Sequence, residues 1–166
     1  MIENNNSYFI SFRGMVREIS ILSDNKNYWN YLLVENEDGS VANLITTPDT
    51  YFAYNVLITV GSVVTGYFPA NAPVPLIYPP QYLTTAIVLE PLYQNIKVDY
   101  FDEDLVSMDG MLKLNIENET TIQNQDGTPY VGSLGDQLLV VYYGASTRSI
   151  PALTTPMMVI VLDMEP

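Results

Sequence analysis

An approximate internal repeat is the feature that most constrains the fold of this chain. Residues 38–45 (DGSVANLI) match residues 109–116 (DGMLKLNI) with the same spacing of Asp-Gly and apolar positions. Residues 77–89 and 150–162 align without a gap at nearly the same offset, and both end in Ile-Val-Leu. Self-similarity at one period indicates a repeated structural unit. The sequence therefore predicts two similar domains in tandem, residues 1–92 and residues 93–166.

The segments between turn signals are short and rich in Val, Ile, Thr and Tyr, which favours strands and an all-β fold. In the first of them, apolar residues alternate from Ile10 to Val16, and the alternation then changes phase at Ile19. A change of phase needs one extra residue, so we expect a β-bulge near Arg17. Gly14 inside this strand indicates a sharp bend or a close approach of another backbone.

Five short strands per unit, the first bent at a glycine, resemble small OB-like β-barrel proteins of uncharacterised bacterial families. The resemblance covers most of the chain and implies two five-stranded OB-like barrels, with little about activity. Thr47-Pro48-Asp49 has the pattern of a helix N-terminus, because proline is favoured at the first helical position. We therefore expect a short helix between strands 3 and 4 of the first barrel, ending near Asn55.

The composition excludes several function classes. The 166 residues include no His and no Cys, so imidazole bases, thiol nucleophiles and most transition-metal sites cannot form. No recognisable catalytic constellation remains, and the chain is predicted not to be an enzyme. A net charge of −13 opposes nucleic-acid binding, which depends on Lys and Arg. No signal peptide and no apolar run of roughly 18 residues is seen, so a cytoplasmic location without membrane insertion is expected.

A proline-rich segment and the aromatic residues around it form the first candidate binding site. Five of the eleven prolines lie within residues 69–80. Aromatic rings can stack on sugars or bases, and OB barrels bind such ligands on a strand face and adjoining loops. The candidate ligand-binding residues are Trp29, Tyr31, Tyr67, Tyr78 and Tyr82. The alternative is that these rings pack against proline inside the barrel.

Two charged features complete the candidates. Arg148, one of six positively charged residues, could hold a carboxylate or phosphate, or form an internal salt bridge. Asp99, Asp102 and Asp104 form the densest acidic run, and clustered carboxylates can bind Ca²⁺. Their spacing is not that of an EF-hand, and the alternative is a solvated acidic loop. No other cofactor is expected.

Together these features predict a non-catalytic binding or protein-interaction module. The expected partner is another protein, with a basic one favoured by the acidity of this chain, or a second copy of the chain itself. The alternative function is binding of an oligosaccharide or another small ligand through the proline and aromatic loops. OB-type nucleic-acid binding is a third hypothesis, and the charge opposes it.

Overall fold

The computed structural model describes residues 6–24, 27–55 and 57–166 of the chain. They form two compact units, Phe9–Pro91 and Leu92–Pro166, the second of which also includes residues 6–8. Apart from one 3-10 turn, Ala53–Asn55, the regular structure in these ranges consists of thirteen strands. The predicted all-β class is confirmed. None of the described residues belongs to a helix with the length and hydrophobicity to cross a membrane.

The first unit is built on one mixed sheet of seven strands, in the order β4-β7-β5-β1-β2-β3-β6. Two of its pairings, β3 with β6 and β4 with β7, are parallel, and the others are antiparallel. The strands are β1 (Phe9–Asp24), β2 (Asn27–Glu35), β3 (Val41–Thr46), β4 (Tyr51–Phe52), β5 (Val63–Pro69), β6 (Gln81–Leu83) and β7 (Ala86–Leu89).

Strand β1 organises this sheet because it pairs with two neighbours in succession. Its first half pairs with β5 as far as Met15, and its second half pairs with β2. The register with β2 shifts between Val16 and Glu18, which confirms the predicted bulge. A Cβ atom at Gly14 would lie 2.4 Å from the carbonyl oxygen of Glu35, which confirms the close approach of another backbone.

The core of the first unit lies on one face of this sheet. Alternate residues of the strands are buried there, as expected from their period of two. Phe68 and Tyr82 stack within it, with ring centroids 4.1 Å apart and planes 5° from parallel. The buried members of this core are Phe12, Val16, Leu32, Val34, Ala42, Leu44, Val64, Phe68, Tyr82 and Ile87.

The predicted helix after Thr47 is absent, and that prediction is wrong. A tight turn closes here: the Thr47 carbonyl accepts the Thr50 N–H, and the Thr47 hydroxyl accepts the Asp49 N–H. Thr50 then donates its hydroxyl to the carbonyl of Thr84, and the Tyr51 N–H donates to the carbonyl of Thr85. These long-range hydrogen bonds hold residues 51–52 in a strand, so tertiary pairing overrides the local helix signal.

The second unit contains six strands in two sheets. Its four-stranded sheet has the order β10-β13-β11-β8, and β12 pairs with β9 in a separate parallel pair. Its core includes Phe101, Leu139, Val141 and Val159, which are all fully buried. The strands are β8 (Asn95–Phe101), β9 (Leu112–Leu114), β10 (Thr121–Asn124), β11 (Gln137–Tyr143), β12 (Ala152–Thr154) and β13 (Met158–Val161).

The prediction of two tandem five-stranded OB-like barrels is therefore wrong. The strands form mixed sheets of seven, four and two strands, and the expected helix is missing. The predicted tandem repeat is not supported either, because the two units differ in strand number and in how their sheets divide. What the units have in common is a set of pairings: each contains two short parallel pairs, β3·β6 and β4·β7 in the first and β9·β12 and β10·β13 in the second. Matching sequence patterns indicate similar local segments, whereas sheet assignment depends on which segments meet in space.

Candidate interaction surfaces

Tyr82, one of the predicted ligand-binding aromatics, is part of the core. Its ring stacks on Phe68, and the residue is 8% exposed. Burial raises the pKa of its hydroxyl, because the charged form would lose its hydration. The alternative interpretation of this residue, that it packs inside the unit, is therefore the one the structure supports.

Tyr31 and Tyr67 are half-buried residues on different strands. Tyr31 lies on β2 between Ser20 of β1 and Ile45 of β3. Tyr67 lies on β5 between Ser11 of β1 and Ala86 of β7. Their neighbours on β1, Ser20 and Ser11, are nine residues apart along that strand, so the two rings do not form a single stacking platform.

The proline-rich segment between β5 and β6, residues 70–80, forms a highly exposed apolar loop, which we call the proline loop. It begins with a turn in which the Ala72 N–H donates to the Pro69 carbonyl. It ends where the Pro80 carbonyl accepts the Asn43 N–H of β3. Between these anchors the apolar side chains of Val74, Leu76, Ile77 and Tyr78 are all exposed.

Trp29 lies on a second apolar projection, the paired ends of β1 and β2. We call this segment the β1–β2 arm: residues 21–24 paired with residues 27–30. It extends past the end of the β2–β3 pairing, which stops at Asn30 and Thr46. Trp29 is 37% exposed and lies directly opposite Leu22, which is 55% exposed. The two candidates Trp29 and Tyr78 thus belong to different segments of the first unit, the β1–β2 arm and the proline loop.

Arg148 lies in the exposed segment between β11 and β12. Hydrogen bonds of Thr147 shape this segment: its N–H donates to the Leu153 carbonyl and its hydroxyl accepts the Leu153 N–H. Within the described ranges, no carboxylate is close enough to Arg148 for a salt bridge. The alternative role predicted for Arg148, an internal salt bridge, is thus not seen among the described residues. No other Lys or Arg lies next to Arg148 in the sequence.

The three residues of the acidic run, Asp99, Asp102 and Asp104, lie in different environments. Asp102 Oδ1 accepts the N–H groups of Asp104 and Val106, at 2.9 and 3.0 Å, and thereby shapes the turn after β8. Asp104 is exposed, whereas Asp99 is fully buried. Over the described part of the chain, no group of three or more acidic side chains is placed to hold a metal ion.

Asp99 instead binds backbone N–H groups. Its Oδ1 accepts those of Tyr8, at 2.7 Å, and Tyr100, at 2.9 Å, and its Oδ2 accepts that of Asp109, at 3.2 Å. Burial raises the pKa of this carboxyl group against the opposing effect of the three hydrogen bonds. The contacts tie residues 6–8 and the loop after β8 to the second unit, which is a structural role.

Beside Asp99 lies a polar network that the sequence did not reveal. Asp109 accepts hydrogen bonds from the Lys97 ammonium, the Ser107 hydroxyl and the Met111 N–H. Burial alone would raise the pKa of Asp109, but these hydrogen bonds outweigh it and the pKa is lowered. One sequence feature could have indicated the network: Lys97 shares a strand face with Asp99 and the buried Phe101, by the period of two. Because these donors and acceptors bind one another, the network holds the loop to β8.

Most positive charge in the described residues is neutralised internally. Arg13 binds both carboxylate oxygens of Glu90, at 2.6 and 2.8 Å. Arg17 pairs with Glu35 at 3.1 Å, and Lys97 pairs with Asp109. Since the whole chain has a net charge of −13, its unneutralised charge is negative.

Comparisons of the chain with protein-family models, with curated proteins and with solved structures give no match. The resemblance to OB-like barrel families therefore finds no support in them, and the geometry of the chain itself carries the functional argument.

Proposed function

We propose that this protein is a non-catalytic protein-interaction module that binds a partner through the proline loop. The observation that carries the proposal is the exposure of four apolar side chains within five residues, with Leu76 fully exposed and Tyr78 83% exposed. Monomeric proteins rarely expose large contiguous apolar patches to water, and those that occur often mark an interaction site. Burying a side chain such as that of Leu76 stabilises a complex by roughly 1.5–3 kcal/mol.

The prolines make this loop suited to binding. Each fixes its own φ and lacks an N–H, so residues 73–80 have few alternative conformations and cannot join a regular sheet. A loop with little conformational freedom loses little entropy when it is immobilised by a partner. The proline loop therefore presents its apolar side chains in a form that favours association.

Charge favours a basic protein as the partner. The net charge of −13 attracts cationic surfaces and repels another copy of this acidic chain, most strongly at low salt. Oligosaccharide binding has weaker support, because Tyr82 is buried and Trp29 belongs to a different segment from Tyr78. Nucleic-acid binding is opposed by the same charge.

The proposal predicts that Leu76→Ser weakens partner binding by roughly tenfold or more, because an apolar contact is lost. A photo-cross-linking amino acid at position 78 of the full chain, used in cells of the source organism, identifies the partner. The affinity of the purified partner for wild type and variant is then measured. Val131→Ser is the matched control, since Val131 is an exposed apolar residue of the other unit. We expect this control to bind as the wild type does.

The proposal fails if position 78 cross-links to no protein, or if Leu76→Ser and Val131→Ser bind equally well. If light scattering shows concentration-dependent self-association that Leu76→Ser abolishes, the partner is a second copy of this chain and not another protein. Quenching of Trp29 fluorescence by one member of a glycan panel would instead favour ligand binding at the β1–β2 arm.

A further inference from the structure

Along the β1–β2 arm, the outer edge of β1 has no neighbouring strand among the residues that the structure describes. Pairing with β5 ends at Met15 and Val63. Beyond it, the last hydrogen bonds on that side among the described residues are those of Val16, whose N–H donates to the Ser62 carbonyl and whose carbonyl accepts the Gly61 N–H. From Glu18 onward, β2 is the one strand beside β1 among the described residues. Ser20, Ile21 and Leu22 are exposed to solvent.

The hydrogen-bond pattern identifies which backbone groups face outward. The Asn36 N–H donates to the Ser40 carbonyl at the end of the β2–β3 hairpin, so even-numbered residues of β2 bond to β3. The odd-numbered residues of β2 therefore bond to β1, where their partners include Ser20 and Leu22. By the same alternation, the N–H and C=O groups of Ile19 and Ile21 point away from β2.

This edge has few of the features that protect exposed strand edges. Such edges usually carry charged residues or proline, or are covered by other structure. Residues 19–23 (ISILS) contain neither a charge nor a proline, and the bulge lies before them. The arm also has apolar groups on both faces: Ile21, 68% exposed, on one, and Leu22 with Trp29 on the other.

We propose that the arm binds an extended segment of a basic partner protein, which adds to the sheet as a strand beside Ile19 and Ile21. Added strands gain affinity from main-chain hydrogen bonds and specificity from alternate side chains. Ile21 and Leu22 would lie against apolar residues of the added strand. Charge selects the occupant, because the net charge of −13 attracts a cationic segment and opposes edge-to-edge pairing of two copies. This surface is distinct from the proline loop, so the proposal does not depend on the proposed function of that loop.

The test uses the full chain and a synthetic peptide in which Val and Thr alternate, with Lys at both ends. We expect the peptide to change the fluorescence of Trp29, the one tryptophan of the chain, and to slow hydrogen exchange at the amides of Ile19 and Ile21. Ile21→Pro removes one outward N–H while leaving the bonds to β2 in place, so it should weaken binding by about tenfold. Ile21→Val keeps the N–H and the branched side chain and should bind as the wild type does.

The proposal is overturned if the two amides exchange at the same rate with and without saturating peptide. Equal binding by Ile21→Pro, shown by circular dichroism to be folded, would also overturn it. A third contrary result is a wild-type dimer in sedimentation with both amides already protected, because the edge would then belong to a second copy. If Ile21→Pro does not fold, a peptide with Glu in place of Lys tests the charge requirement on the wild-type chain. We expect this acidic peptide not to slow exchange at the two amides, and equal protection by both peptides would overturn the proposal.

Discussion

Replacing Gly14 with alanine should destabilise the protein by about 3 kcal/mol or more, because the new methyl group has no room. Its position lies 2.4 Å from the Glu35 carbonyl oxygen and 2.8 Å from Cγ1 of Val34. The first neighbour is backbone that pairs with Met15 of β1, so it cannot move without disturbing the β1–β2 pairing. Urea unfolding followed by circular dichroism measures the change in the free energy of unfolding.

Gly144→Ala is the matched control for this experiment. No atom lies within 4 Å of the Cβ position at Gly144, and its φ angle is compatible with alanine. We therefore expect a change within about 0.5 kcal/mol for this exposed residue. A Gly14→Ala protein as stable as this control would show that β1 and β2 do not approach as closely as described.

Replacing Lys97 with methionine should cost about 2–4 kcal/mol, because it leaves a buried carboxylate without its cation. The Asp109 side chain is 5% exposed and that of Lys97 is 23% exposed. Once the ammonium group is removed, water can therefore hydrate the Asp109 carboxylate only slightly. Urea unfolding at neutral pH measures this loss. Lys113→Met is the control, since Lys113 is an exposed β9 residue with no ion pair among the described residues, and it should change stability little.

The acidic pH dependence of this variant provides a second measurement. Hydrogen bonds from Lys97, Ser107 and the Met111 N–H outweigh burial and hold the pKa of Asp109 below its ordinary value. A carboxyl group with a lowered pKa contributes stability above its ordinary pKa, about 3.9, and loses it as the pH falls toward the lowered value. The difference between wild type and Lys97→Met should therefore be largest at neutral pH and should narrow in acid. A difference that stays constant with pH would contradict the ion pair.

Part of the fold was predictable because it depends on neighbours in the sequence. The alternation of apolar residues indicated β1, and its change of phase indicated the bulge before Glu18. Gly14 indicated a close backbone approach, although the identity of the approaching residue, Glu35, was not predictable. Prolines at 73, 75, 79 and 80 indicated an extended loop, since they cannot supply ladder hydrogen bonds.

The candidate site was less predictable, because exposure depends on residues distant in the sequence. Tyr78 and Tyr82 are four residues apart with the same side chain, yet one is exposed and the other stacks on Phe68. Asp99 and Asp102 are three residues apart, yet Asp99 is buried among backbone donors while Asp102 shapes a turn. Composition alone could not separate these environments.

The sequence by itself determined the all-β class, the absence of imidazole and thiol chemistry and the negative charge, because each follows from residue types and their local period. The tertiary structure decided how the strands are shared among sheets and replaced the expected helix with β4. It also decided that Leu76 and Ile21 are exposed while Tyr82 is buried. The physical reason is that strand pairing and burial are long-range: hydrogen bonds such as that of Thr50 with Thr84 join segments whose meeting no local pattern encodes.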